Sequence, residues 1–233
     1  MSTSTQRFLI TGGSQGIGAA LVALARQRGH QVVFTGRKPD LIAKVAKETG
    51  AHGVHADVSL DADNIQTVAA CLSHMGGIDV LVNNAAFGYA ADIGDLDMAA
   101  LKTLFSTNVF GMVDITNHVV RLMKKQESGD IVNIASTSGM KGGKGGTAYA
   151  ASKWAVRGIS QVWQAELRPH GIRVICVCPS EVQTGWAGRA GRNNPNKLFA
   201  PDIAASIMAS LEMPRRVLWP EFAIYATNPW KEE

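Results

Sequence analysis

The amino-acid sequence predicts an α/β fold, a doubly wound parallel sheet of about seven strands with helices on both faces. Three observations carry that prediction. Short apolar, β-branched runs alternate with helix-length segments along the chain, and connections of that length imply parallel pairing through crossovers rather than hairpins. The runs are rich in Val and Ile without clean alternation, so both sheet faces are covered. A glycine-rich turn follows the first run.

The first strand falls at residues 8–11, and the helix after it at 16–28 is closed by Gly29. QVVFT at 31–35 is the second strand, followed by a helix at 40–49 that Gly50 ends. A weaker third strand at 53–56 precedes a helix over 61–75, stopped by Gly76 and Gly77. IDVLVN at 78–83 is the fourth strand, and a long helical stretch covers about 98–125. A strand at 129–135, a helix at 147–168 and a strand at 173–178 follow. The last helix is 201–211, and 217–225 contains a seventh strand.

Residues 1–233 read as a single domain, because no linker, repeat or low-complexity segment divides them. The main irregular region, about 180–200, is rich in Gly, Asn and Arg. Loops of that length are usually lids or disordered segments, and a short substrate lid is expected there.

Composition narrows the function classes. The net charge of +4 comes from scattered basic residues without a Lys/Arg block, so nucleic acid is not an expected partner. No apolar run reaches the roughly 18 residues of a membrane span. The start, MSTSTQRFLIT, lacks a charged region followed by an apolar core, so a cytoplasmic location is expected. The three cysteines, Cys71, Cys176 and Cys178, do not suggest a disulfide framework. Cys176 and Cys178 share a strand face but lack partners at ligand spacing, and the aspartates between 57 and 95 show no clustered ligand pattern. Buried small hydrophobes are the better reading of the pair, and no metal is expected.

The turn after the first strand reads TGGSQGIG, residues 11–18. Gly12, Gly16 and Gly18 allow a tight turn and close backbone approach, and the following helix start offers N–H groups to a phosphate. Its spacing is G-x-x-x-G-x-G, not G-x-G-x-x-G. After the first strand of a doubly wound chain, it predicts a Rossmann-type dinucleotide site. At the end of the second strand stand Thr35, Gly36, Arg37 and Lys38, with no carboxylate to hold a ribose 2′-hydroxyl. A guanidinium grips a phosphate with paired donors, so NADP(H) is expected over NAD(H). A solvated Arg37 and Lys38 is the plainer reading of the same residues.

The stretch 131–153 carries the chemistry. An apolar run breaks at Ser136 into a glycine-rich loop, and Tyr149 follows four residues before Lys153. On a helix that spacing puts phenol and ammonium on one face. A cation beside a phenol favours the phenolate and lowers a pKa that starts near ~10. Together the three make a proton-transfer site. Singly, each has a structural reading: Ser136 as a loop serine, Tyr149 as a partly buried aromatic.

These pieces resemble the classical short-chain dehydrogenase/reductase family over roughly residues 7–225. TGGSQGIG, the pair Asp57-Val58, NNAA at 83–86, TNVFG at 107–111, Ser136 and YAASK at 149–153 occur in the family's order. PSEVQT at 179–184 echoes the family's Pro-Gly turn. The resemblance implies Tyr149 as acid/base, Lys153 lowering its pKa and holding the nicotinamide ribose, and Ser136 donating to the substrate oxygen. It implies that Asn108 interrupts its helix and holds a water in a proton relay. The turn, with Gly12, Ser14, Gln15, Gly16, Ile17 and Gly18, would hold the cofactor, Asp57 and Val58 would contact adenine, and Asn84 would line the groove. Val182 and Thr184 would sit by the nicotinamide. Asp57-Val58-Ser59 also fits a turn or helix cap. Ala86 and Ser180 replace glycines usual in the family, with a strain cost if the backbone there has positive φ.

The function expected on this reading is NADP(H)-dependent hydride transfer between nicotinamide and a carbonyl/alcohol substrate. The enzyme would act on CH-OH donors, most simply as a ketone or aldehyde reductase, with 3-oxoacyl compounds included. The alternatives are a non-catalytic dinucleotide-binding regulator and an NAD-linked alcohol dehydrogenase. The resemblance also implies a homodimer or homotetramer through the helices around 98–125 and 147–168. Lys141 and Lys144 in the loop, and Arg189, Arg192 and Lys197 in the lid, could attract an anionic substrate, although solvated side chains explain them as well.

Overall fold

The computed structural model describes residues 4–184 and 194–230. Strands β1 (Arg7–Ile10), β2 (Gln31–Gly36), β3 (His52–His55), β4 (Val80–Asn83), β5 (Gly129–Ile134), β6 (Ile172–Pro179) and β9 (Glu221–Ile224) form one sheet in the order β3-β2-β1-β4-β5-β6-β9. Every pairing in it is parallel. The chain runs outward from β1 through β2 and β3, then returns to place β4 on the other side of β1. That reversal leaves a crevice beyond the carboxyl ends of β1 and β4, where open α/β sheets bind ligands. Strand boundaries move by a residue or so from those expected, and two short strands, β7 (Val182–Gln183) and β8 (Leu198–Phe199), pair within the region expected to be irregular.

Alternate residues of each strand enter two apolar layers. Phe8, Ile10, Val80 and Val82 pack with Leu21 and Val22 of α1 (Gly16–Gln27) and Ile203 and Ile207 of α7 (Ala200–Leu211). Leu9, Leu81 and Ile131 face the other way, onto Cys71 of α3 (Asp61–Met75) and Ile115 and Val119 of α5 (Met112–Gln126). Both faces are apolar, so the strands show no clean alternation in sequence. Gly50, after α2 (Pro39–Thr49), and Gly76, after α3, adopt the left-handed conformation that closes those helices.

The helical stretch expected over 98–125 is not one α-helix. Helix α4 (Met98–Phe105), capped by Asp97 Oδ1 accepting from the Ala99 N–H at 2.8 Å, passes into a π-helical turn, Ser106–Gly111, before α5 begins. At Gly111 a Cβ would lie 2.4 Å from the Val58 carbonyl oxygen, so only glycine lets the helix come this close to the segment after β3. At the opposite end of the sheet, Asp130 is fully buried and bound by Arg173 and Arg215. Among the described residues, no helix is long and apolar enough to cross a membrane.

Candidate active site

The turn after β1 is held by backbone. Gly13 N–H donates to the Thr35 carbonyl at 2.8 Å, tying the turn to the end of β2. Gly12 has φ +64° and Gly16 φ +56°, both in the region that favours glycine. A Cβ on Gly18 would lie 2.3 Å from the Gly12 carbonyl oxygen and 2.6 Å from Asn84 Nδ2, so α1 packs directly on the turn. Ser14 is buried against Gly36, and Ile17 packs on the core. Gln15 caps α1 without a side-chain hydrogen bond, leaving the first N–H groups of the helix for an anion. Thr184 stands over this start: its Cβ is 3.4 Å from where a Gly16 Cβ would be. A diphosphate fits this cradle. Val182, in β7, packs on the same core layer.

Asn84, expected to line the groove, supports the turn. Its Nδ2 donates to the carbonyls of Thr11 and Gly12, each at 3.0 Å, and so braces the turn. At the end of β2, Arg37 is exposed and its Nη1 lies 3.5 Å from Asp57 Oδ2. Asp57 also behaves as a turn residue, with Oδ1 accepting from Ser59 N–H at 3.0 Å and Ser59 Oγ at 2.8 Å. Burial pushes its carboxyl up, but the Ser59 hydrogen bonds and the Arg37 charge together hold it below its ordinary pKa. Val58 is buried, and its carbonyl accepts from Asn64 Nδ2 at 2.8 Å.

Ser136, Tyr149 and Lys153 come together beyond the carboxyl end of β5. Ser136 is extended (φ −171°) and caps a 3₁₀ turn, Thr137–Gly139, its Oγ accepting from Ser138 N–H at 3.1 Å. Tyr149 and Lys153 lie one turn apart on α6 (Thr147–Leu167), with Lys153 Nζ 5.7 Å from the centre of the Tyr149 ring. Ser136 hydrogen-bonds the Tyr149 phenol.

Lys153 does not lower the Tyr149 pKa as the spacing leads one to expect. Burial pushes the phenol above its ordinary value, and the opposing pull comes from the Ser136 hydrogen bond, not from the lysine. Lys153 is itself 3% exposed, donates to the Ile134 carbonyl at 2.8 Å, and is brought down to about 8 by burial. The spacing in sequence gives the proximity of the two groups. It does not give the desolvation that both share.

Asn108 lies in the π-helical turn, so the helix is interrupted at this residue. Its side chain is 2% exposed and committed: Oδ1 accepts from Phe87 N–H, and Nδ2 donates to the Phe87 carbonyl, both at 3.0 Å. Nδ2 also lies 3.2 Å from Ser152 Oγ, which in turn donates to the Tyr149 carbonyl at 2.7 Å. Ser152, unremarked within the YAASK run, thus links Asn108 to the backbone of Tyr149. Ala86 and Ser180 do not have positive φ, since Glu127 alone does so among described non-glycine residues; the strain considered for them does not arise.

Lys144 is 89% exposed and lies 3.4 Å from Asp92, a solvated pair worth little. Lys197 pairs with Glu181 at 3.0 Å. Arg189 and Arg192 of the expected lid lie outside the described residues. Cys176 and Cys178 are buried with Sγ atoms 4.0 Å apart near Glu221, but that carboxylate is engaged by Arg157. Folding also gathers Asp61, Asp114 and His118, with His118 Nε2 3.0 Å from Asp61, a grouping of ligand types that distance along the chain conceals.

Comparison with known proteins agrees with this arrangement. Residues 6–195 match the family described as short chain dehydrogenase. Oxidoreductase BOA17 of Botryotinia fuckeliana is 34% identical over 188 residues, covering 79% of this chain and 68% of that protein. An oxidoreductase of Staphylococcus epidermidis is 30% identical over 211 residues, covering 90% of this chain and 92% of its own. The solved closed form of a serine dehydrogenase complexed with NADP+ superposes with a TM-score of 0.89 at 26% identity, covering 93% of each chain. The sheet order, the glycine turn and these matches lead to one assignment: the chain belongs to the short-chain dehydrogenase family of oxidoreductases.

Proposed function

We propose that the protein is an NADP(H)-dependent oxidoreductase that interconverts a carbonyl compound and its alcohol, acting in the reductive direction on a ketone or aldehyde. One observation carries the reading: Ser136, Tyr149 and Lys153 meet beyond the carboxyl ends of the strands, the end of the sheet where the glycine turn also lies. The NADP+ complex of the similar serine dehydrogenase supports the cofactor class.

When bound, the nicotinamide supplies or accepts the hydride. The turn from Gly12 to Gly18, with Ser14, Gln15, Gly16 and Ile17, holds the diphosphate; Arg37 takes the 2′-phosphate, and Asp57 and Val58 flank the adenine. Asn84 keeps the turn in shape, and Val182 and Thr184 close over it. Ser136 and Tyr149 direct donors at the substrate oxygen, where negative charge builds. Tyr149 passes its proton to that oxygen, and a phenol kept protonated by burial has the proton to give at neutral pH. The Lys153 ammonium binds the ribose. Asn108, in the π-helical turn that interrupts its helix, would hold a water in the relay that returns a proton to Tyr149. Residues 1–233 act as one domain in a cytoplasmic homodimer or homotetramer.

NADPH oxidation over a panel of aldehydes, ketones and 3-oxoacyl compounds tests the reading. Turnover is expected with at least one class, and Tyr149→Phe should lose about 10²-fold or more while NADPH binding stays within about twofold. Full activity in that variant would overturn the assignment.

A further inference from the structure

We propose that Arg157 and Glu221 form a positioning clamp that sets the turn carrying Ser136 against the helix carrying Tyr149 and Lys153. The inference rests on the reading of Ser136 as donor to the substrate oxygen. Arg157 lies on α6 four residues after Lys153, hence on the same helix face. Its guanidinium divides its donors between two elements. Nε and Nη2 reach the two Glu221 carboxylate oxygens at 2.8 and 2.7 Å, the paired geometry in which arginine binds most firmly. Nη1 donates to the Gly139 carbonyl at 2.6 Å. The guanidinium carbon also stands 5.3 Å from the Trp154 ring centre, which restricts its swing.

Gly139 ends the 3₁₀ turn that Ser136 caps, and its N–H donates to the Ser136 carbonyl at 2.9 Å. Holding the Gly139 carbonyl therefore holds Ser136. The turn sits hard on the helix: a Cβ on Gly139 would lie 2.7 Å from the Lys153 carbonyl oxygen. Glu221 opens β9 and registers with Cys176 of β6, so the far end of the clamp is fixed to the sheet and not to α6. With side chains 15% and 25% exposed, the pair is partly shielded from water, where charge-assisted hydrogen bonds keep their direction. A staple of this kind matters for chemistry because Ser136 hydrogen-bonds Tyr149, and a displacement of about 1 Å in such a site can cost up to about 10²-fold in rate.

The test compares full-length wild type with Arg157→Ala, Arg157→Lys, Glu221→Gln, Ser136→Ala and the double variant Arg157→Ala/Ser136→Ala. kcat, KM and NADPH Kd are measured. In parallel, tyrosine labelled with ¹³C at Cζ is titrated by NMR; the chain has 3 tyrosines, and Tyr149→Phe assigns the signal. Arg157→Ala is expected to lower kcat about tenfold with NADPH Kd within about twofold. Its Tyr149 should titrate higher, by the same amount as in Ser136→Ala, and the double variant should be no worse than Ser136→Ala alone. Arg157→Lys should recover part of the rate, since an ammonium reaches one partner at a time. An unshifted Tyr149 in Arg157→Ala, or losses that multiply in the double variant, would overturn the clamp. If Ser136→Ala leaves kcat unchanged, the reading of the site fails instead, while the titration still decides whether Arg157 places Ser136. Should Arg157→Ala not fold, Glu221→Gln and Arg157→Lys are held to the same titration outcomes.

Discussion

Lys153 Nζ donates to the Ile134 carbonyl at 2.8 Å, from a side chain only 3% exposed. The ammonium is thereby stripped of water and repaid with one neutral acceptor, and burial takes its pKa from 10.5 to about 8. A base whose folded pKa is depressed carries its full cost where both states hold the proton, and stability rises with pH wherever the unfolded chain binds the extra proton. The cost is fully present below pH about 8, fades as pH rises toward 10.5, and amounts to about 3 kcal/mol. Lys153→Met should therefore gain stability at pH 7, offset in part by the lost hydrogen bond, and the gain should shrink at pH 10. Urea unfolding of both proteins at the two pH values measures it. Equal differences would mean that the ammonium is not destabilised.

The same group should shape the rate. If the Lys153 ammonium holds the ribose, the reductive rate at limiting NADPH falls as pH rises through about 8, where the ammonium is lost. Tyr149, pushed above its ordinary value, keeps its proton across that range, so the first alkaline limb belongs to the lysine. A pH–rate profile with no decline before pH about 10 would remove Lys153 from the mechanism.

Arg37 is loosely held, with a side chain 60% exposed and Asp57 at 3.5 Å, so little opposes its turning to a phosphate. Arg37→Ala should weaken NADPH about 10- to 100-fold, the worth of a charge-assisted hydrogen bond or two, and leave NADH nearly unchanged. An unchanged ratio of the two affinities would place the 2′-phosphate elsewhere or make the enzyme NAD-linked.

The sheet was legible because its signals are local. Val- and Ile-rich runs, glycine stops after 49 and 75, and the turn at 11–18 each declare themselves within a few residues. The grouping of Ser136, Tyr149 and Lys153 was legible from helical spacing and the resemblance. What spacing could not give was burial, and burial decides the sign of the Tyr149 shift. Nor could it pair Arg157 with Glu221 or Asn108 with Phe87, contacts across 64 and 21 residues that only the folded sheet edge and the π turn create. The apolar pattern likewise marks 129–135 and 173–178 as strands but gives no warning that Asp130 and Arg173 enter them as a pair.

That pair is a stability element remote from the chemistry. Asp130, second in β5, lies at the end opposite Ser136, and its carboxylate receives Arg173 Nε at 2.6 Å and Arg215 Nη1 at 2.8 Å. Arg173 also donates to the carbonyls of Leu211, Met213 and Val217, fixing the chain between α7 and β9. Removing it leaves a buried carboxylate with one half-exposed partner and three carbonyls without their donor. Arg173→Ala should cost about 3–5 kcal/mol, the usual penalty for breaking a buried pair from one side. Arg215→Ala, whose side chain is 46% exposed, should cost about 1 kcal/mol or less. Because the two share Asp130, the second loss should be larger in the Arg173→Ala background than in wild type. Urea midpoints of the three variants measure the coupling. Turnover per folded molecule should stay near wild type, and a drop in kcat at temperatures where Arg173→Ala is fully folded would show that the far end of β5 reaches the site.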